Sequence, residues 1–309
     1  MKSDQTNSRC RQVRDVAGTK SGGAFTLVEM LAVLGVLAMG TALIAPALAK
    51  TRPAAQSIQC LNNLRQLMNA MSMYTQEHTG LFPPNPDDGN STPGHNWVSG
   101  QAGMGGGQEF NPDVLANPTY SRFATFLGSN VSVFACSADT RLGVYQGTDP
   151  LRFGKIIRAA RSVSLNGAVG NVCANFASFC SGHSGIPNRP VVGSWLSGNH
   201  SCSANNWRTY GKASDIVNPS PSNLFIMMEE DPRSINDGFF SFSAGVSKWV
   251  DYPSALHNSA GVVAFADGHS ELHQWVESTT RLTGPPATQP VASDDRDWLW
   301  LKARTTALR

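Results

Sequence analysis

The longest apolar run in the chain lies near its start. Residues 25–49 read FTLVEMLAVLGVLAMGTALIAPALA and carry one charge, Glu29. A helix rising about 1.5 Å per residue over that length would span the roughly 30 Å hydrocarbon core of a bilayer. Beyond it the pattern changes. Leu61, Leu64, Met68 and Met71 recur at steps of three and four, with Leu67 and Tyr74 close by, and this predicts a helix that buries one stripe. Pro46 and Pro53 predict a kink or a break in that helix. Gly80 suits its C-cap, and Pro83-Pro84 prevent its continuation.

Residues 83–112 read as loop. Residues 117–128 predict a short helix, and residues 131–134 alternate as a strand leading into Cys136. Residues 171–210, rich in Asn, Ser, Gly and Cys, read as an irregular insertion. Residues 224–228 form a buried-strand candidate that runs into Glu229-Glu230-Asp231. Asp267-Gly268, between apolar residues 261–266 and a second strand over 269–275, is a hairpin signal. The expected fold is α+β. One long N-terminal helix would have a transmembrane half and a half packed on an antiparallel β-sheet drawn from residues 131–275.

Charge adds a direction. Lys2, Arg9, Arg11, Arg14 and Lys20 precede the apolar run against Asp4 and Asp15, a local charge of +3, while the chain from Lys50 onward is neutral overall. Positive residues before a span place the amino terminus in the cytoplasm and the rest outside, in a single pass. The neutral remainder gives no electrostatic reason to expect nucleic acid as a partner. A plain anchor and a cleavable secretory signal are the simpler readings of the run. Ala47-Leu48-Ala49 matches an A-x-A cleavage site, but the run exceeds the roughly 7–15 residues of a signal's apolar region. Glu29 would cost a few kcal/mol inside a membrane, which by default marks function.

Ala24-Phe25-Thr26-Leu27-Val28-Glu29 resembles the prepilin cleavage and methylation motif of type IV pilins and type II secretion pseudopilins. The resemblance implies a cut between Ala24 and Phe25, methylation of the new amino group, and Glu29 as the fifth mature residue. Ala24 departs from the family's usual Gly; Gly23 sits one residue earlier. His257, with nine residues between it and Asp267-Gly268, resembles the H-x9-DG segment of a bacterial group of prepilin-type proteins. Residues 60–66, 162–166 and 297–301 and Pro219-Ser220 resemble that group too.

The resemblance implies a leader over 1–24, a transmembrane helix over 25–49 and an extracytoplasmic continuation over 50–80. A globular domain over 81–309 follows, with the H-x9-DG hairpin at 257–275. It implies a structural subunit in the cytoplasmic membrane, assembled through its N-terminal helix into a type II secretion pseudopilus or type IV pilus-like filament. In such a filament Glu29 would pair with a neighbour's terminal amine, since both charges are costly alone in an apolar bundle. The implied partners are a prepilin peptidase/N-methyltransferase, other pilin or pseudopilin subunits, an inner-membrane assembly platform and membrane lipid. The alternative is a membrane-tethered or secreted envelope protein, a binding module or hydrolase, with a signal peptide cleaved after Ala49.

Candidate chemistry is sparse. The cysteines are Cys10, Cys60, Cys136, Cys173, Cys180 and Cys202, and no C-x-x-C pair suggests a zinc ribbon. Cys60 on the helix and Cys136 at a strand end predict a disulfide that fastens helix to sheet. Cys173, Cys180 and Cys202 would supply one further bridge and a free thiol. His269, Glu271 and His273 alternate along one strand, as transition-metal ligands or as a solvent-facing side. Glu229, Glu230, Asp231 and Asp237 offer oxygens for Ca²⁺, without EF-hand spacing. Arg152, Lys155, Arg158 and Arg161 recur every third residue, as a solvated face or an anion-binding stripe. Residues 182–185 are no nucleophile elbow, and the glycines of 100–108 lack a phosphate-binding pattern. The sequence assigns no metal, no cofactor and no catalytic residue.

Overall fold

The computed structural model describes residues 26–103, 105–172, 188–200, 206–284 and 287–309, the side chains of 40–52 excepted. The chain divides into two compact units, Met1–Ala49 and Lys50–Arg309. Helix α1, Leu27–Glu77, is continuous through Pro46 and Pro53, where a kink or a break was expected, so neither proline interrupts it.

In the first unit Thr26 and Glu29 close a reciprocal cap. Thr26 N and Oγ1 each donate to Glu29 Oε2 at 2.9 Å, and Glu29 N donates to Thr26 Oγ1 at 3.3 Å. This is the T-x-x-E capping box, which satisfies backbone donors that a helix start leaves orphaned. The large apolar side chains that follow, from Leu27 to Met39, are exposed. No helix among the described residues is long and apolar enough to cross a membrane. That finding corrects the transmembrane segment expected over 25–49, and with it the fold built on a membrane-spanning helix. Residues 27–39, whose side chains are described, rise only about 20 Å at roughly 1.5 Å per residue, short of a hydrocarbon core of about 30 Å.

In the second unit α1 does bury a stripe. Leu64, Leu67, Met68 and Met71 are within the core together with Cys60 and Tyr74. The helix ends where Gly80 takes a φ of 84° and its amide reaches back to Thr75 O at 2.7 Å; a positive φ suits glycine. A four-residue helix α2, Asp113–Ala116, and a 3-10 turn at Val131–Phe134 follow. The strands are β1 Leu142–Val144, β2 Ile156–Arg158, β3 Val163–Asn166, β4 Phe225–Glu229 and β5 Phe239–Phe240. Then come β6 Phe242–Ser243, β7 Lys248–Trp249, β8 Ala260–Phe265, β9 Ser270–Gln274 and β10 Gln289–Pro290. Helix α3, Arg296–Thr305, is capped by Asp295, which accepts from Trp298 N at 2.9 Å.

The main sheet has the order β5-β3-β4-β8-β9; β1-β2 and β10-β7-β6 form smaller ones. Every residue of β4 and β8 is buried, as expected of central strands covered on both faces. The β8–β9 hairpin pairs Ala260 with Gln274 and Ala264 with Ser270, and Ser270 Oγ donates to Leu61 O of α1 at 3.1 Å.

The main sheet is mixed, not antiparallel. β3 and β8 flank β4 on its two edges, and the chain, reversing after Asp231, adds β5 beyond β3 and parallel to it. Residues 131–134 form a turn instead of a strand, since the Asn130 side chain accepts from Ser132 N and caps them. Residues 117–128 form turns instead of a helix, beginning where Asn117 Oδ1 accepts from Thr119 N at 2.9 Å. In both places a local side-chain acceptor competes with regular structure.

Candidate functional site

Four segments far apart in sequence converge at one buried point. Cys60 lies on the sheet-facing stripe of α1, and Cys136 follows the 3-10 turn with its amide donating to Ser162 Oγ. Glu229 ends β4. His257 opens a tight reversal before β8, where His257 N donates to Ala260 O at 3.1 Å and Ala260 N to His257 O at 3.2 Å. Asn258 and Ser259, between them, have φ of 56° and 63°, the positive values of a type I′ turn.

The geometry is close. Cys60 Sγ and Cys136 Sγ are 3.4 Å apart, Cys136 Sγ lies 3.3 Å from His257 Nε2, and His257 Nε2 lies 3.2 Å from Glu229 Oε2. One donor atom from each residue falls within 4.8 Å of all the others. Relative exposures are 0% for Cys60, 2% for Cys136, 1% for Glu229 and 4% for His257. Backbone amides aim at the sulfurs: Ser137 N donates to Cys60 Sγ at 3.3 Å and Ala138 N to Cys136 Sγ at 3.4 Å. Val262 N donates to Glu229 Oε2 at 3.2 Å, while Glu229 Oε1 is buried with no hydrogen-bond partner among the described residues.

The titrations reflect this crowding. The hydrogen bond between the sulfurs pulls Cys60 down to about 3 and holds Cys136 above the ordinary thiol range. Burial raises Glu229 against the opposing hydrogen bond from His257. Burial works against the imidazolium of His257, but its hydrogen bonds to thiol and carboxylate prevail and raise it to about 10. The cluster thus favours thiolate at Cys60 and imidazolium at His257, and holds Cys136 and Glu229 toward their neutral forms.

A second polar layer adjoins through Glu230. Its carboxylate accepts from Ser164 Oγ and, at 3.0 Å, from Ser234 Oγ; burial raises it to about 7. Asp237 and Asp251 are also buried and raised well above the usual carboxylate range by burial. Asp237 accepts from Phe239 N at 2.8 Å and Asp251 from Ser241 N at 2.6 Å, so these acids shape the turns around β5 and β6. Arg161, 1% exposed, donates to Val163 O at 2.7 Å and belongs to the interior, not to an exposed basic stripe.

The structure brings Cys60, Cys136 and His257 together and adds Glu229. The two cysteines are neighbours as expected, but they stand as free thiols and not as a disulfide. Asp267 and Gly268 lie at the far end of β8. Asp267 Oδ1 accepts from His269 N at 3.1 Å and meets His269 Nδ1 at 2.6 Å, while Gly268 has a φ of 92°. His269, Glu271 and His273 do not gather: His273 Nδ1 is 4.0 Å from Glu271 and its ring stacks on Trp300 at 3.6 Å. Ala24, Phe25, Cys10, Cys173, Cys180, Cys202 and residues 182–185 lie outside the described residues.

Glu229 is the member that sequence reasoning did not connect to His257. The available signal was an acid closing a wholly apolar strand, where it must be buried, and buried acids need partners. No family model matches this chain, and neither a curated protein nor a solved structure gives a significant match.

Proposed function

We propose that this chain is a type IV pilin-like structural subunit that polymerises through the first part of α1. The observation carrying this reading is the apolar surface of residues 27–39. Leu27, Leu31, Leu34 and Leu37 are all more than half exposed, beside the capped Glu29. Such a surface has no use in a helix that faces water, whereas packing against the same segment of neighbouring subunits would remove it from solvent. Glu29 then has two possible partners. In the free subunit it accepts from Thr26; in a filament it would turn to the terminal amine of the next copy after processing before Phe25. A prepilin peptidase/N-methyltransferase, sibling subunits and an assembly platform in the cell envelope are the partners this reading requires, and the role is structural, not catalytic.

The test is crosslinking in the cells that make the protein. Val33→Cys and Leu37→Cys, exposed on successive turns, should give ladders of covalent multimers on oxidation, and Glu29→Gln in the same background should suppress them. Ladders that persist unchanged with Glu29→Gln, at matched protein levels, would refute the pairing role. Mass analysis of the mature amino terminus supplies the second readout. A methylated Phe25 supports the reading, and a terminus at Lys50 overturns it in favour of a conventional secretory signal.

A further inference from the structure

We infer that Cys60, Cys136, Glu229 and His257 form a closed four-ligand site for a transition metal of the Zn²⁺ class. The inference goes beyond the assembly reading and does not depend on it.

Geometry is the first support. A tetrahedral Zn²⁺ with Zn–S near 2.3 Å and Zn–N or Zn–O near 2.0–2.1 Å places its sulfurs about 3.8 Å apart, S and N about 3.5 Å, and N and O about 3.3 Å. The corresponding separations here are 3.4, 3.3 and 3.2 Å. Rotamer adjustments of a few tenths of an ångström would open the cluster to the metal's radius.

The donor set is the second. Two thiols, one imidazole and one carboxylate suit a borderline-soft ion, whereas Ca²⁺ and Mg²⁺ demand oxygen. The surroundings are the third. Amides of Ser137 and Ala138 point at the sulfurs, as donors to thiolates do, and Val262 N steadies the carboxylate. Outer hydrogen bonds of this kind orient ligands. The fourth is independent of the cluster's shape: Glu229 Oε1, within a residue 1% exposed, lacks a partner among the described residues. A buried carboxylate oxygen without a donor is costly, and a cation held by this carboxylate would offset that cost.

Four protein ligands leave no open coordination position, so the site is structural. It would tie α1, the segment after the 3-10 turn, the end of β4 and the turn before β8 at one point. Binding would release the protons held by Cys136 and the imidazole.

The full-length chain purified under reducing conditions, without added metal, should contain about one Zn²⁺ per chain. Chelation should lower the melting temperature, and Zn²⁺ should restore it. Exchange for Co²⁺ should give the intense visible bands of a tetrahedral ion and a thiolate-to-cobalt charge-transfer band. His257→Gln should weaken the visible bands and retain charge transfer; Cys136→Ser should reduce charge transfer. If either variant fails to fold, the wild-type cobalt spectrum and non-reducing peptide mapping still decide. A Cys60–Cys136 disulfide in the chain as isolated overturns the site. So does a metal-free chain that binds Co²⁺ no more tightly than the Cys136→Ser variant.

Discussion

The two described parts of α1 use the same helical geometry in opposite ways. Over residues 27–39 large apolar side chains are exposed with no preferred face, and the Thr26–Glu29 box caps the first turn. Over residues 60–74 most apolar positions gather on one stripe, where Cys60, Leu64, Leu67, Met68, Met71 and Tyr74 are buried, and Ser270 ties the backbone to the sheet. A helix with a stripe is completed by its own chain, whereas one apolar all round has to be completed by something outside it. That contrast separates side chains that stabilise the fold from those left for the proposed assembly.

The largest expected effect tests the buried side of the contrast. Leu67→Ala removes a side chain with 0% exposure and should cost about 2–5 kcal/mol of unfolding free energy in a denaturant titration. A loss below about 1 kcal/mol would show that the stripe is not part of the core.

Burial should also be visible in titration. Burial holds the His273 ring at about 4, below its ordinary 6.5, with Asp297 opposing and Arg304 reinforcing the shift; Glu271, Trp275 and Trp300 are its other neighbours. Between those values the unfolded chain binds a proton that the folded one refuses. Stability is therefore complete above pH 6.5 and falls as the pH drops toward 4. Because the ring is half-buried and partly screened, the loss should be about 1–2 kcal/mol. His273→Gln should flatten the stability profile in that window, and an unaltered slope would exclude the ring as its source.

The remaining effects belong to the exposed side. Thr26→Ala breaks the capping box and should cost about 1 kcal/mol, confined to the first turn. It would be read as faster hydrogen exchange there, with unchanged melting of the sheet. Smallest of all, Leu34→Ala, at a position 57% exposed, should change subunit stability by less than about 0.5 kcal/mol. The same substitution should weaken crosslinking between copies. Reversal of that order, with Leu34 mattering to the fold and not to association, would collapse the distinction.

Periodicity made part of this architecture readable. The 61–74 stripe, the apolar strand ending at Glu229 and the Asp267-Gly268 hairpin are local patterns, each held within one segment. Parallel β5 was not readable, because two residues carry no pattern and their partner depends on which sheet edge is free. The turn at Val131–Phe134 defeated its alternating pattern through the Asn130 cap. Helix α3 did carry signals, an Asp295 cap with Trp298 and Leu301 three residues apart and buried. At the site, Cys60 and Cys136 could be paired by place in the fold, but Glu229 and His257 meet only because β4 and β8 are neighbours.

The interval between His257 and Asp267-Gly268 contains two reversals with β8 stretched between them. Its count is therefore a length standard. Removing one residue from β8 would turn each following side chain to the opposite face. Removing two would restore the face but displace one anchor by about 6.6 Å, at roughly 3.3 Å per residue. That displacement exceeds the 4.8 Å within which the four donor atoms gather. Chains that share this arrangement should be free to vary the identities of the intervening residues and barred from varying their number.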